Sequence, residues 1–116
     1  MYNDLSKAFF AGALALAAQG CRSLPPSKPA SQWTAEEARG ATVFQARCAR
    51  CHYPTTTTGL HGPGLQAITK VKAMPSGAPP TDERLTELIL HGRQMMPATA
   101  LDDEQLHDLL AYLHTL

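Results

Sequence analysis

Aromatic side chains make up only 6% of this 116-residue sequence and charged ones 17%, and its ten Lys and Arg residues are balanced by ten Asp and Glu. A chain with no net charge has no broad attraction for nucleic acid or anionic lipid, so neither is expected as a general electrostatic partner. No stretch alternates apolar and polar residues cleanly enough for a strand, which excludes a sheet-built fold. No apolar run reaches the roughly 20 residues that span a hydrocarbon core as a helix. The length allows one small domain and excludes a multidomain enzyme. A domain this short buries a modest share of its surface and often needs a metal, disulfides or a large cofactor to hold together.

The three cysteines, Cys21, Cys48 and Cys51, cannot all close into disulfides with one another. Cys21 stands apart, behind a run of small and apolar residues from Ala8 to Ala18 with Lys7 before it. Such a run reads as an export signal over residues 1–20. Ala18-Gln19-Gly20-Cys21 resembles a bacterial lipobox, in which the cysteine is lipidated and begins the mature protein. Ala18 stands where Leu is usual, and Gln19 is bulky for its place. The alternatives are an ordinary cleaved signal or an uncleaved N-terminal anchor; all of these place the domain outside the cytoplasm, on the periplasmic side of a bacterial membrane, lipid-anchored or soluble. Residues 21–33 carry Pro25, Pro26 and Pro29 among serines, and read as a tether. At about 3.1 Å per residue, extended polyproline-like geometry would hold the domain some 35 Å from Cys21.

The remaining chain, 34–116, reads as all-α, with helices joined by Gly- and Pro-containing loops. Thr34 with Glu37 matches a capping box and opens a helix running to about Cys48. A second helix starts after Thr81, buries Leu85, Leu88 and Ile89, and stops at His91-Gly92. A third is capped by Asp102 with Gln105 and lays down Leu106, Leu109, Leu110 and Leu113 as an apolar stripe. A short helical turn is expected around Leu65 to Val71.

The chemistry concentrates in Cys48-Ala49-Arg50-Cys51-His52. Two thiols three residues apart can each form a thioether to a haem vinyl group, while the imidazole that follows coordinates iron from the same side. A thioredoxin-like redox pair would need strands around it, and a structural zinc site a second ligand pair; the sequence supplies neither. Export and a core too small for its own stability both favour one covalent haem c.

From Thr34 to Leu116 the chain resembles the class I c-type cytochromes, small His/Met electron carriers of three main helices plus a short one. Beyond the Cys-x-x-Cys-His motif, Gly40-x-x-x-Phe44 resembles the family's N-terminal helix face, and Leu109 and Tyr112 its C-terminal partner. The resemblance implies that the terminal helices cross closely at Gly40. His61-Gly62-Pro63-Gly64-Leu65 is similar to the family's Gly-Pro-x-Leu segment, which implies that the Pro63 carbonyl accepts the proton of the free ring nitrogen of His52.

Met74, Met95, Met96, His61, His91, His107 and His114 are all nominal sixth ligands. His107 and His114 read as solvent-facing helix residues, His91 as a C-terminal helix residue, and His61 as too near His52. Met74 follows His52 by only 22 residues. The family's Met-Pro pattern selects Met96, and Pro97 favours extended backbone there, so that Met95 and Met96 point to opposite sides.

The resemblance implies a one-electron carrier, not an enzyme, relaying electrons between exported or membrane-bound redox proteins. Methionine opposite histidine raises the potential relative to two histidines. A haem subunit of a larger dehydrogenase or reductase complex is the alternative, and a haem enzyme or gas sensor with a labile methionine a weaker one. Arg47, Arg50, Lys70, Lys72 and Arg93 fall near the expected haem, whereas Asp102, Asp103, Glu104 and Asp108 crowd the last helix. These charges read as a mixed solvated surface, with a basic docking face as the alternative.

Overall fold

The computed structural model describes residues 23–116, so the expected signal over 1–20 and the candidate lipidation site Cys21 lie outside the described residues. Three α-helices order the described residues, α1 (Ala35–Arg47), α2 (Asp82–His91) and α3 (Asp103–Leu113). Among the described residues there is no strand, and no helix is long and apolar enough to cross a membrane.

Each helix begins where a polar side chain satisfies an orphan amide. Thr34 and Glu37 complete a capping box on α1, Thr81 accepts from Arg84 on α2, and Asp102 and Gln105 complete a second box on α3. Acidic residues fill the first turn of all three, where the helix dipole favours them.

Packing then centres on α1 against α3. Gly40 is buried at their crossing, and a methyl group placed on it would lie 2.6 Å from the Asp108 carbonyl carbon and 2.7 Å from Tyr112 Cβ. Only a residue without a side chain lets the two backbones approach this closely. One turn along, Phe44 packs on Tyr112 with ring centroids 5.4 Å apart, and Trp33 meets the same tyrosine edge-on, also at 5.4 Å. Phe44 and Leu109 are fully buried, each contributing about 1.5–3 kcal/mol of apolar transfer. Leu85 and Ile89 bring α2 onto this core with Ile68, Met74, Leu113 and Leu116.

The structure corrects three expectations. The short helix over Leu65–Val71 is instead a run of tight turns, because buried Ala67 takes a left-handed φ of 56° that a helix cannot carry. The tether over 21–33 is not free throughout. The Lys28 amide donates to the Thr115 carbonyl at 2.7 Å, its ammonium pairs with Glu37 at 2.8 Å, and Trp33 Nε1 donates back to the Lys28 carbonyl at 3.1 Å. A 3-10 turn, Ala30–Gln32, shapes this docked arm. Asp108, finally, is no surface acid: it is 3% exposed and accepts both Nε and Nη2 of Arg39, at 2.8 and 3.1 Å. Those hydrogen bonds hold its carboxyl below the usual carboxylate range, against the opposing effect of burial.

Candidate haem site

The Cys-x-x-Cys-His segment is made by the way α1 stops. Cys48 caps the helix with its amide on the Phe44 carbonyl at 2.8 Å, and Ala49 donates to the same oxygen at 3.0 Å. The chain then turns sharply: the amides of Cys51 and His52 both donate to the Cys48 carbonyl at 3.0 Å. One carbonyl thereby gathers both thiols and the imidazole into a single turn at the edge of the core. Burial pushes the Cys48 thiol up to about 11, opposed by the nearby Arg47. Among the described residues no three His, Cys, Asp or Glu side chains gather into a metal cage.

The loop after His52 doubles back to fix its ring. His52 Nδ1 lies 2.8 Å from the Pro63 carbonyl, which can only accept, so Nδ1 carries the proton and Nε2 is the nitrogen left to coordinate. Gly62 donates its amide to the Cys51 carbonyl at 2.8 Å and lies flat against the imidazole. A methyl group there would sit 2.9 Å from Nδ1 and 3.0 Å from Nε2. Leu65 donates to the Tyr53 carbonyl at 2.9 Å, and Gly64 leaves room for the backbone of Thr56 to Thr58. Pro63 is marked in the sequence by the family pattern, whereas Gly62 has no expected role there. The signal was present, since a glycine beside a residue that must touch a ring is where a side chain would intrude.

Met96 arrives on a separate segment with its own support. Gly92 ends α2 at φ 74°, and the chain folds over it so closely that a methyl group would lie 2.7 Å from the Ala98 nitrogen. Arg93 and Met96 exchange two backbone hydrogen bonds, each 2.9 Å, around a tip where Gln94 has φ 52°. The Thr99 amide secures the following residues to the Ile89 carbonyl at 2.9 Å. Within this turn the neighbouring methionines differ in exposure. Met95 is 92% exposed, and Met96 is half-buried.

The structure thus joins Cys48, Cys51, His52 and Pro63 through shared hydrogen bonds and holds Met96 by a distinct turn after α2. The other nominal ligands have different surroundings. Met74 belongs to the buried core. His91 lies 3.5 Å from Glu87, His107 3.3 Å from Glu36, and His114 2.8 Å from Asp82, all at the surface. His61 is exposed. Of the cations expected near the haem, Arg47 donates to the Ala100 carbonyl and Lys70 to those of His114 and Leu116. Both tie loops to the helical frame.

Two neighbouring thiols, an oriented imidazole with one nitrogen available and a glycine shelf along its face fit the proximal side of a covalent haem. A family model described as "Cytochrome C oxidase, cbb3-type, subunit III" matches residues 35–113. The chain is also 32% identical over 81 residues to proteins named cytochrome c6 from Parathermosynechococcus lividus and Synechococcus elongatus, a match covering 68% of this chain and 88% of each relative. A family match running from the start of α1 to the end of α3, together with relatives of that name, makes the chain a member of the c-type cytochromes, an electron carrier with covalently bound haem c and not an enzyme.

Proposed function

We propose that the protein is a His/Met monohaem carrier in which Cys48 and Cys51 form the thioethers, His52 Nε2 and Met96 Sδ are the axial ligands, and Pro63 orients His52. The observation that carries this reading is the 2.8 Å contact from His52 Nδ1 to the Pro63 carbonyl, on the same turn as both cysteines. It selects one tautomer, fixes the ring plane and strengthens Nε2 as a donor. Haem c supplies a one-electron couple. The side chains supply everything else: His52 and Met96 would hold the iron and leave no position for a substrate, and Phe44, Ile68 and Leu109 keep water from the interior. Methionine rather than a second histidine sets a high potential, suited to taking electrons from a dehydrogenase or quinol-oxidising complex.

Lipidation of Cys21, with the domain on the periplasmic side of the membrane, completes the reading, supported by the apolar run from Ala8 to Ala18 that precedes Gln19-Gly20-Cys21. A haem subunit of a larger complex is the second reading, favoured by a family model whose own description is that of an oxidase subunit.

The test is spectroscopic. Met96→Ala abolishes the weak sulfur-to-iron band near the infrared edge of the oxidised protein, lowers the potential and opens the iron to small ligands, while Met95→Ala leaves all three as in the wild type. The reverse pattern would falsify the ligand assignment. Replacing Cys48 and Cys51 together with serine releases the haem in denaturing gels, where the wild type keeps it.

A further inference from the structure

The docked arm carries a geometric consequence for a lipid on Cys21. Among the described residues its first hydrogen-bonded point is Pro25, whose carbonyl accepts from Gln66 Nε2 at 3.3 Å. Lys28 follows, bonded by its amide to Thr115 and by its ammonium to Glu37, and Trp33 closes the arm on Tyr112. Pro25 is four residues beyond Cys21. Four residues reach at most about 14 Å. A domain of some 90 residues is about 30 Å across, so a leash of this length cannot bring the far side of the domain to the bilayer.

We infer that the arm turns a fixed face of the domain to the lipid headgroups, namely the Gln66 turn and the loop after His52; this rests on the lipidation of Cys21 proposed above. The turn and the loop are one surface, because Gln66 donates its amide to the Thr56 carbonyl at 3.3 Å and Leu65 donates to that of Tyr53 at 2.9 Å. Tyr53 and Leu60, large side chains left exposed in this loop, are offered to the headgroup region, about 6–7 Å deep. Tyrosine, with an apolar ring and a polar tip, suits such a boundary. The start of α3 lies at the opposite end of that helix. Its residues rise about 1.5 Å each, which puts Glu104 about 16 Å along the axis from the Thr115 end where Lys28 docks. The partner recognised by this face is a lipid surface, and the side of the carrier that holds His52 works next to it.

The experiment uses the full-length, reduced holoprotein in nanodiscs containing a lipid with a gadolinium chelate on its headgroup. Mass spectrometry of the mature chain first reports whether Cys21 carries lipid; a free thiol there overturns both the anchor and the orientation. With lipid present, the amides of Thr56 and Gln66 relax at least tenfold faster than those of Asp103 and Glu104. Equal rates in a lipidated protein overturn the fixed face and leave the anchor standing. Ten Gly and Ser residues inserted after Arg22 bring the ratio below twofold, since the arm stays docked and only the leash lengthens; a ratio unchanged by the insertion also overturns the inference. In lipid-free Cys21→Ser protein the Lys28 amide exchanges slowly with solvent deuterium, and fast exchange there would sink the docked arm itself.

Discussion

Gly40 on α1 lies directly against the backbone carbonyl of Asp108 on α3, so the closest approach of the two terminal helices is set by the absence of one side chain. The intruding methyl of Gly40→Ala would meet backbone on one side and Tyr112 Cβ on the other, neither of which can rotate away. The helices must separate. We expect a loss of about 2–3 kcal/mol, the upper range for overpacking, read as a lowered midpoint in denaturant with the haem still attached. A variant as stable as the wild type would show that the crossing is looser than this geometry.

Asp108 gives the fold a dependence on acid. Hydrogen bonding to Arg39 depresses its folded-state pKa, so its contribution is complete above the ordinary carboxyl value near 3.9 and is lost as pH falls through the lower folded value. Asp108→Asn is therefore less stable than the wild type at pH 7, and the difference narrows toward pH 2. Denaturant titrations at several pH values check this; a gap that stays constant with pH would assign the effect to packing.

Gly62 and Gly59 are three residues apart and make opposite predictions. A methyl on Gly62 strikes the His52 ring, whereas one on Gly59 meets only the Gly62 carbonyl, at an ordinary 3.6 Å. Gly62→Ala should lower covalent haem per polypeptide several-fold, measured by absorbance against protein concentration. Gly59→Ala should leave it unchanged.

Gly92→Ala combines a strained φ of 74° with a collision against the chain just after Met96. The cost of ordering the turn rises by about 1 kcal/mol or more. The sulfur-to-iron band should weaken in the oxidised protein while the thioethers remain intact, separating the methionine turn from the cysteine turn. A full-strength band would mean that the Met96 turn tolerates the methyl.

The three helix starts were legible because each is written in adjacent residues: Thr34 with Glu37, Thr81 before Asp82, and Asp102 with Gln105. The Gly40, Phe44 and Tyr112 contact was legible because helical spacing puts Gly40 and Phe44 on one face. The rest depended on partners far away in the chain. Asp103 sits in the first turn of α3, but nothing local marks mid-helix Asp108 for burial against Arg39, 69 residues earlier. Lys70 looks like any surface lysine until the carbonyls of His114 and Leu116 come within reach. The arm hid for the same reason, since polar residues among prolines announce no apolar face and Lys28 docks through its backbone and its charge. Ala67, a good helix former in isolation, is forced into a left-handed turn by the tertiary setting of a buried site.

The bond between the Lys28 amide and the Thr115 carbonyl has a topological meaning as well. It brings the two ends of the helical unit into register, so residues 28–115 run almost as a closed ring with its break at the arm. On a ring the order in which helices are written matters less than which of them adjoin. The break could be moved to Gly77, where an added side chain would meet nothing within 4 Å, without parting α1 from α3.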